Sequence, residues 1–477
     1  VLKEDVDRRP YRRSDGAGQA VIDLAGYLPG DRVGSWGIER SQEERLRGRR
    51  GQVVRHIDSS HEVRDEPVPG EDVVLTIDVA LQSRVQAVMD PRLGLTTVQR
   101  WHGERPAPGS LRPQLGEPLN GAAVVLDVTH GHVLAAVSLP GISPGRLKED
   151  PDSIWGDKVN QPWVNRAVAV PYQPGSTIKP VALVAGVTEG VVGERETIDC
   201  RGHLDPDASK RYRCWIYKAY HSVHGPLNGD EALARSCNIY FYTVGRRLGA
   251  ARLVRWYSDF GLGATTGCGL KEEASGDLPD LSRASDPAAG GFSADDAVLM
   301  AIGQGRVRWT LLQAVGAYAT IARGGRVVSP TFVMSQGQGI APQKTGQLTL
   351  NGAAVAEAIA GLGDVVQKRY GTAHALVLLN EEPIFNLPGV QVFGKSGTAQ
   401  ASPLWVDQNG DHRFTSGVDK VVRKGDHAWM ICLVQRPGSE HPDYAVGVVL
   451  EYAGSGAMVA GPVVNQILHA MRAEGYL

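Results

Sequence analysis

The chain has 477 residues, 42% of them hydrophobic, and a formal net charge of −2. That length and apolar content are enough for a large core and predict more than one domain, while the near-neutral charge argues against a nucleic-acid binder, whose domain would be strongly basic. No run of about eighteen apolar residues marks a membrane span, and Val1-Leu2-Lys3-Glu4-Asp5 does not read as a signal peptide.

Residues 1–70 are rich in arginine, glycine and acidic side chains with few long apolar stretches, which predicts a small extended domain. Inside it, Gly34 to Gly51 reads as an arginine-rich solvated helix, with Gln42 on its surface. A second domain, 71–477, opens with Val73 to Asp78 as a strand, followed by Leu81, Val85 and Val88 at helical spacing with Asp78 as N-cap. From Pro91 to Asn120, with Pro106, Pro108, Pro113 and Pro118, the chain reads as a solvent-exposed insertion. Gly121 to Asp127 and Val133 to Ser138 flank Thr129-His130-Gly131, a hairpin signal.

At Gln173-Pro174-Gly175-Ser176-Thr177-Ile178-Lys179-Pro180 a glycine turn opens into an apolar run from Val181 to Val187. A helix starting near Ser176 puts Ser176 and Lys179 on one face, a hydroxyl nucleophile beside an amine base. A lone S-x-x-K is common by chance, so it gains weight only from companion motifs further along the chain. Leu233 to Tyr242 supplies Ser236-Cys237-Asn238, and Gly389 to Gln400 supplies Lys395-Ser396-Gly397-Thr398. From about Thr243 the pattern is helix-rich, and a helix through Ala322 starts with Leu311 where proline is merely favoured. His427 to Val434 and Tyr444 to Glu451 read as strands, and Val463 to Met471 as a closing helix.

Four of the five cysteines, Cys200, Cys214, Cys237 and Cys268, fall between residues 200 and 268; the fifth is Cys432. Cys200, Cys214 and Cys237 with His224 make a candidate tetrahedral zinc site. Their spacing is not C-x-x-C, and a Cys200–Cys214 disulfide or buried free thiols stand as alternatives. Gly389 to Ser396 also fits the phosphate-loop string G-x-x-x-x-G-K-[ST]. Such a loop needs a strand before it and a helix after it, whereas Val390 to Phe393 is a strand pattern inside it and Gly397 to Pro403 does not readily start a helix. This order argues against nucleotide binding.

The three motifs, Ser176-x-x-Lys179, Ser236-x-Asn238 and Lys395-Ser396-Gly397-Thr398, occur in the order that resembles a class B penicillin-binding protein, most like the elongation type, penicillin-binding protein 2. Gly34 to Gly51 resembles the family's pedestal motif, with Gln42 where tyrosine is usual. Asn165-Arg166-Ala167, Cys214-Trp215, His221 to Gly225 and Ala301-Ile302-Gly303-Gln304-Gly305 resemble further family segments. The resemblance implies an α+β fold of the penicillin-binding and serine β-lactamase kind, a five-stranded antiparallel sheet flanked by helices, with 1–70 as pedestal or dimerisation-type domain and 71–477 as transpeptidase domain.

It further implies a peptidoglycan D,D-transpeptidase of cell elongation that needs no cofactor for its chemistry. Ser176 would form the acyl-enzyme, and Lys179 would be the base, with its pKa lowered by burial and by Lys395. Ser236 would relay a proton and Asn238 hold the substrate amide, while Lys395, Ser396, Gly397 and Thr398 would receive the terminal carboxylate of a D-Ala-D-Ala stem peptide or of a β-lactam. The N–H groups of Ser176 and Thr398 would form the oxyanion hole. Also implied are an N-terminal membrane anchor and a short Arg-Gly…Asp-Arg-Asn-Gly segment ahead of this chain, a periplasmic catalytic domain at the bacterial inner membrane, and a SEDS-type glycosyltransferase and rod-complex scaffold proteins as partners, with no nucleic acid. The rival readings are a septal transpeptidase, a sensor that binds β-lactam without turnover, and a β-lactamase-like hydrolase, which would be shorter and lack the pedestal.

Overall fold

The computed structural model describes residues 12–14, 20–22, 27, 31–59, 61–102, 110–208, 210–283, 291–334, 343–377, 379–411 and 413–477. The chain divides into two units, one of Val1–Thr76, Gly267–Glu273 and Thr331–Gln343, the other of Ile77–Thr266, Ala274–Pro330 and Lys344–Leu477. Val1 to Asp5, Pro106 and Pro108 lie outside the described residues.

In the first unit, Gly34 to Gly51 is not one solvated helix. It forms two single-turn helices, Gly37–Ser41 and Glu43–Arg47, with Gln42 at the junction. The break turns Glu43 inward, where its carboxylate accepts from Gly34 N at 2.7 Å and from the Tyr27 hydroxyl at 3.4 Å. A buried carboxylate must be hydrogen-bonded, and this one ties the block together. A hairpin of Gln52–Arg55 with Glu62–Asp65 comes next. The strand expected over Val73 to Asp78 is a single bridge from Leu75 to Val333, flanked by Thr76 N to Phe332 O at 3.0 Å and Met334 N to Val74 O at 2.9 Å. The apolar run is real, but it pairs as one bridge with its two flanking hydrogen bonds and not as an extended ladder.

The second unit is built on a five-stranded sheet: β1 (Gly121–Asp127), β2 (Val133–Leu139), β3 (Gln391–Gln400), β4 (Asp426–Gln435) and β5 (Tyr444–Leu450). The order is β3-β4-β5-β1-β2, antiparallel at every pair, with β3 and β2 as edges. Helices cover both faces, which is why β5 reads Tyr-Ala-Val-Gly-Val-Val-Leu without polar alternation and is buried throughout. On one side α1 (Val79–Met89), capped by Asp78 accepting from Leu81 N at 3.0 Å, packs through Leu81, Val85 and Met89 with Ala123, Val125, Met430 and Val446.

The remaining helices that matter to the site are α2 (Lys179–Thr188), α3 (Gly229–Ala234), α4 (Asn238–Leu248), α5 (Leu311–Ala322), α6 (Gly352–Gln367) and α7 (Gly461–Ala473). α7 joins α1 on the first face; α5 packs against β5, β1 and β4, and α6 against β3. α5 starts without proline because Thr310 and Gln313 form a capping box. The stretch from Pro91 to Asn120 is not simply a solvent-exposed insertion. Thr96 donates to Met89 O at 2.7 Å, Leu119 N to Thr96 O at 2.8 Å, and Leu119 and Trp101 pack on the core. Proline frequency signals irregular backbone there, and irregular backbone need not be exposed. Among the described residues no helix is long and apolar enough to cross a membrane.

Candidate active site

Ser176 lies in a single 3-10 turn, Gly175–Ile178, that runs straight into α2, so the helix expected from Ser176 begins as a tighter coil. The turn is pinned from several sides. Gly175 has φ +55° and donates its N–H to Gly303 O at 2.9 Å; a Cβ on Gly303 would lie 2.1 Å from Gly175 O, so only glycine allows the two backbones this close. Thr177 Oγ1 donates to Pro174 O at 2.7 Å, and the Tyr318 hydroxyl of α5 donates to Thr177 O at 2.7 Å. Beneath lies β3, where a Cβ placed on Gly175 would fall 3.0 Å from Ala399 Cβ. The half-buried Ser176 is thereby held over the edge strand that carries Lys395 to Thr398.

Lys179, one turn on, is fully buried and points at the Ser236 loop. Its Nζ donates to Ser236 O at 2.8 Å, to Ser236 Oγ at 3.2 Å and to Asn238 Oδ1 at 2.8 Å, and lies 5.3 Å from the Phe241 ring centroid. Among the described residues no hydrogen bond joins it to Ser176 Oγ. Burial lowers the amine to about 8, against the pull of the Cys214 and Cys237 sulfurs. The loop is held by α3, whose capping box pairs Asn228 with Glu231, and by Cys237 N donating to Ala232 O at 2.9 Å. Ser236 itself has φ +53°, a left-handed backbone that a non-glycine residue adopts only under constraint. Asn238 is the first residue of α4.

Lys395 is buried on β3 and donates to Ser396 O at 3.1 Å; burial first, and then the charge of Lys179, drive its amine well below the ordinary lysine range. The sequence predicts that Lys395 lowers Lys179. The effect falls mainly on Lys395 instead, because the amine that loses its proton first is neutral when its neighbour titrates. Ser396 Oγ meets Thr372 Oγ1 at 3.0 Å, and Thr398 Oγ1 accepts from Gly456 N at 3.4 Å. Nothing in the sequence points to Tyr318 or Thr372. Each acts through one hydrogen bond to a distant segment, and no local pattern announces that.

Cys200, Cys214, Cys237 and His224 come together although their spacing in the chain is irregular: their ligand atoms all lie within 4.8 Å of one another. His224 Nδ1 is 3.7 Å from Cys200 Sγ and 3.6 Å from Cys214 Sγ. The pairing of Ile198–Cys200 with Gly225–Leu227 brings Cys200 and His224 close, and Cys237 enters from between Ser236 and Asn238. Hydrogen bonds from Cys200 and Cys237 push the Cys214 thiol down, while burial pushes Cys237 up. All five cysteines are free in this structure, so the Cys200–Cys214 disulfide is not formed. A tetrahedral zinc with ~2.3 Å bonds to sulfur and ~2.0 Å bonds to nitrogen has nitrogen–sulfur edges of about 3.5 Å, close to the 3.6 and 3.7 Å separations of His224 Nδ1 from the two sulfurs.

A hydroxyl fixed over an edge strand, an amine that can lose its proton near neutrality, and a hydroxyl and an amide shared with that amine compose the parts of acyl transfer. The chain matches the model of the penicillin binding protein transpeptidase domain over residues 121–469 and that of the penicillin-binding protein dimerisation domain over 13–75. It is 29% identical over 468 residues to the peptidoglycan D,D-transpeptidase MrdA of Haemophilus influenzae, covering 93% of this chain and 64% of that protein. The MrdA of Escherichia coli K12 gives 29% over 468 residues, covering 93% and 65%. The chain therefore spans under two thirds of these relatives. Among solved structures, Pseudomonas aeruginosa PBP2 in complex with WCK 5153 superposes with TM-score 0.70 at 26% identity, covering 94% of this chain and 86% of that one. A chain of a peptidoglycan synthase complex gives TM-score 0.71 at 29% identity, covering 96% and 73%. With its transpeptidase match running through the whole sheet and all three motifs, the chain belongs to the penicillin-binding protein transpeptidase family.

Proposed function

We propose that this protein is an elongation-type peptidoglycan D,D-transpeptidase that cross-links stem peptides through an acyl-enzyme on Ser176. The observation that carries the reading is the buried Lys179 amine, hydrogen-bonded to both Ser236 and Asn238 and placed one turn after Ser176. Neutral Lys179 takes the Ser176 proton as the hydroxyl attacks the carbonyl of the penultimate D-Ala. Ser236 returns a proton to the leaving D-Ala amine, and Asn238 holds the donor amide. Lys395, Ser396, Gly397 and Thr398 receive the terminal carboxylate, and the N–H groups of Ser176 and Thr398 stabilise the oxyanion. Attack by the amine of a second stem peptide then releases Ser176. β-Lactams acylate the same serine.

The likeness to two MrdA proteins favours elongation over septation. The likeness at 29% identity to a chain of a peptidoglycan synthase complex favours a glycan-polymerising partner. We place the domain on the outer side of the cytoplasmic membrane, tethered through an N-terminal anchor, with residues 1–70 as the pedestal and 71–477 as the catalytic domain. Cys200, Cys214, His224 and Cys237 fit zinc in donor type and spacing. A zinc bound there would be a structural cross-link, and the chemistry itself uses no cofactor.

Intact-protein and peptide mass spectrometry after exposure to benzylpenicillin tests the reading. The expected result is one penicilloyl adduct on the peptide carrying Ser176, lasting many minutes and absent in Ser176→Ala. Native protein with no adduct would overturn the assignment, and an adduct lost within seconds with accumulating penicilloate would make the protein a hydrolase.

A further inference from the structure

The hydroxyl oxygens of Thr372 and Ser396 are 3.0 Å apart, and of the two protons they carry only one fits between them. Which residue supplies that proton decides what Ser396 can offer a ligand. If Ser396 donates to Thr372, its oxygen keeps only lone pairs, and a carboxylate, which can only accept, is repelled. If Thr372 donates, the Ser396 proton is free to point at the carboxylate. Among the described residues Ser396 Oγ is the sole hydrogen-bond partner of Thr372 Oγ1, and no other acceptor there claims the Thr372 proton. Thr398 lies on the same face of β3 as Ser396, since strand residues two apart point the same way. Its Oγ1 accepts from Gly456 N at 3.4 Å, and an N–H can only donate, so the Thr398 proton is free as well.

The backbone that carries Thr372 is clamped against the end of α6. Gly371 N donates to Lys368 O at 2.7 Å and Ala373 N to Val365 O at 3.0 Å. A Cβ on Gly371 would lie 2.3 Å from both Asp364 O and Val365 O, so only glycine lets the chain turn there. Thr372 N donates to Ala234 O at 3.1 Å, at the last residue of α3, and the Arg235 guanidinium lies 4.2 Å from the Tyr370 ring centroid. Thr372 thereby spans from the stretch that leads into Ser236 to the strand that carries Ser396. We propose that Thr372 is a positioning residue: by donating to Ser396 Oγ it aims the Ser396 proton at the terminal carboxylate of a stem peptide or β-lactam, and so sets how strongly the site prefers a free carboxylate. This rests on the reading of Lys395 to Thr398 as the carboxylate site and adds a residue that acts on it through Ser396.

The test follows Ser176 acylation by mass spectrometry with benzylpenicillin and with its methyl ester, in which the carboxylate is masked. The native chain should react faster with the free acid, and the ratio of the two rates measures the carboxylate preference. Thr372→Val keeps the shape of the side chain and the N–H to Ala234 but removes the hydroxyl. It should lower the ratio about tenfold, as loss of an aligned hydrogen bond to a charged group would. Thr372→Ser restores a hydroxyl and should bring the ratio back to within about twofold of native. In a Ser396→Ala background Thr372→Val should change the ratio by less than about twofold, because the two hydroxyls act as one unit. A native ratio in Thr372→Val, no recovery in Thr372→Ser, or a fall that persists undiminished in the Ser396→Ala background would overturn the inference. So would loss of reaction with both compounds in Thr372→Val, which would make Thr372 a structural residue only. Equal native rates with the two compounds would overturn the carboxylate site and the inference with it, leaving the Ser176 acyl-enzyme standing. Failure of benzylpenicillin to acylate the native chain at all would overturn the transpeptidase reading.

Discussion

The proposed role asks Lys179 to satisfy the hydrogen bonds of an ammonium and to serve as a free base. Its three acceptors, Ser236 O, Ser236 Oγ and Asn238 Oδ1, match the three donors of a charged amine. Burial brings it to about 8, so about one molecule in ten is neutral at pH 7, against about one in three thousand for an ordinary lysine. If Lys179 is the base, the neutral amine is the active form, and acylation by benzylpenicillin should climb as pH rises through about 8. Lys179→Arg should lower it by about 10²-fold or more, since a guanidinium keeps its proton. A flat profile between about pH 6 and 9, or acylation near the native rate in Lys179→Arg, would remove Lys179 as the base. The sequence singles out Ser176, Lys179, Ser236, Asn238 and Lys395 as short-spaced side chains of the kind acyl transfer needs, and the structure brings Lys179, Ser236 and Asn238 into one hydrogen-bonded group. Tyr318 and Thr372 carry no such mark, since each reaches the candidate site through one hydrogen bond from a distant segment.

Elements were legible where burial wrote a pattern. β4 and β5 read as unbroken apolar runs because helices cover both faces, and α1 showed its Leu81–Val85 spacing and its cap. Val73 to Asp78 carried the same kind of run but forms a single bridge, to Val333, and strand identity depends on a neighbour as much as on propensity. The contact between the turns at Gly175 and Gly303 gives a prediction at this scale. Gly303→Ala forces a side chain to within 2.1 Å of the Gly175 carbonyl oxygen, so the nucleophile turn must shift. Benzylpenicillin acylation should fall at least about tenfold, the effect expected of a small misplacement of reacting groups. Gly305→Ala is the control: its φ is +78°, yet the nearest atom to its new methyl would be Leu299 Cβ at 3.4 Å, so it should mainly cost about 1 kcal/mol of stability. Equal acylation by the two variants would show that the Gly175–Gly303 contact does not position Ser176.

At the scale of the molecule, the cysteine–histidine cluster draws three separated stretches of chain together beside the Ser236 loop. Purified protein should contain about one zinc per chain, and chelation should lower its melting temperature, because metal that binds only the folded state stabilises it. Cys214→Ser should lower both the zinc content and the melting temperature. Absence of zinc, with a melting temperature indifferent to chelator, would make the cluster ordinary packing. The first unit is where linear reading stops, since two of its three pieces are far from the N-terminus and carry no mark of belonging there. Thr76 Oγ1 donates to Thr331 O at 2.9 Å across 255 residues of chain, and Phe332 N donates to Cys268 O at 2.9 Å. A ribosome delivers the chain from its N-terminus onward. The residues made early must therefore wait, their partners missing, until most of the later unit has been synthesised, and the part that reads as the beginning is among the last to finish folding.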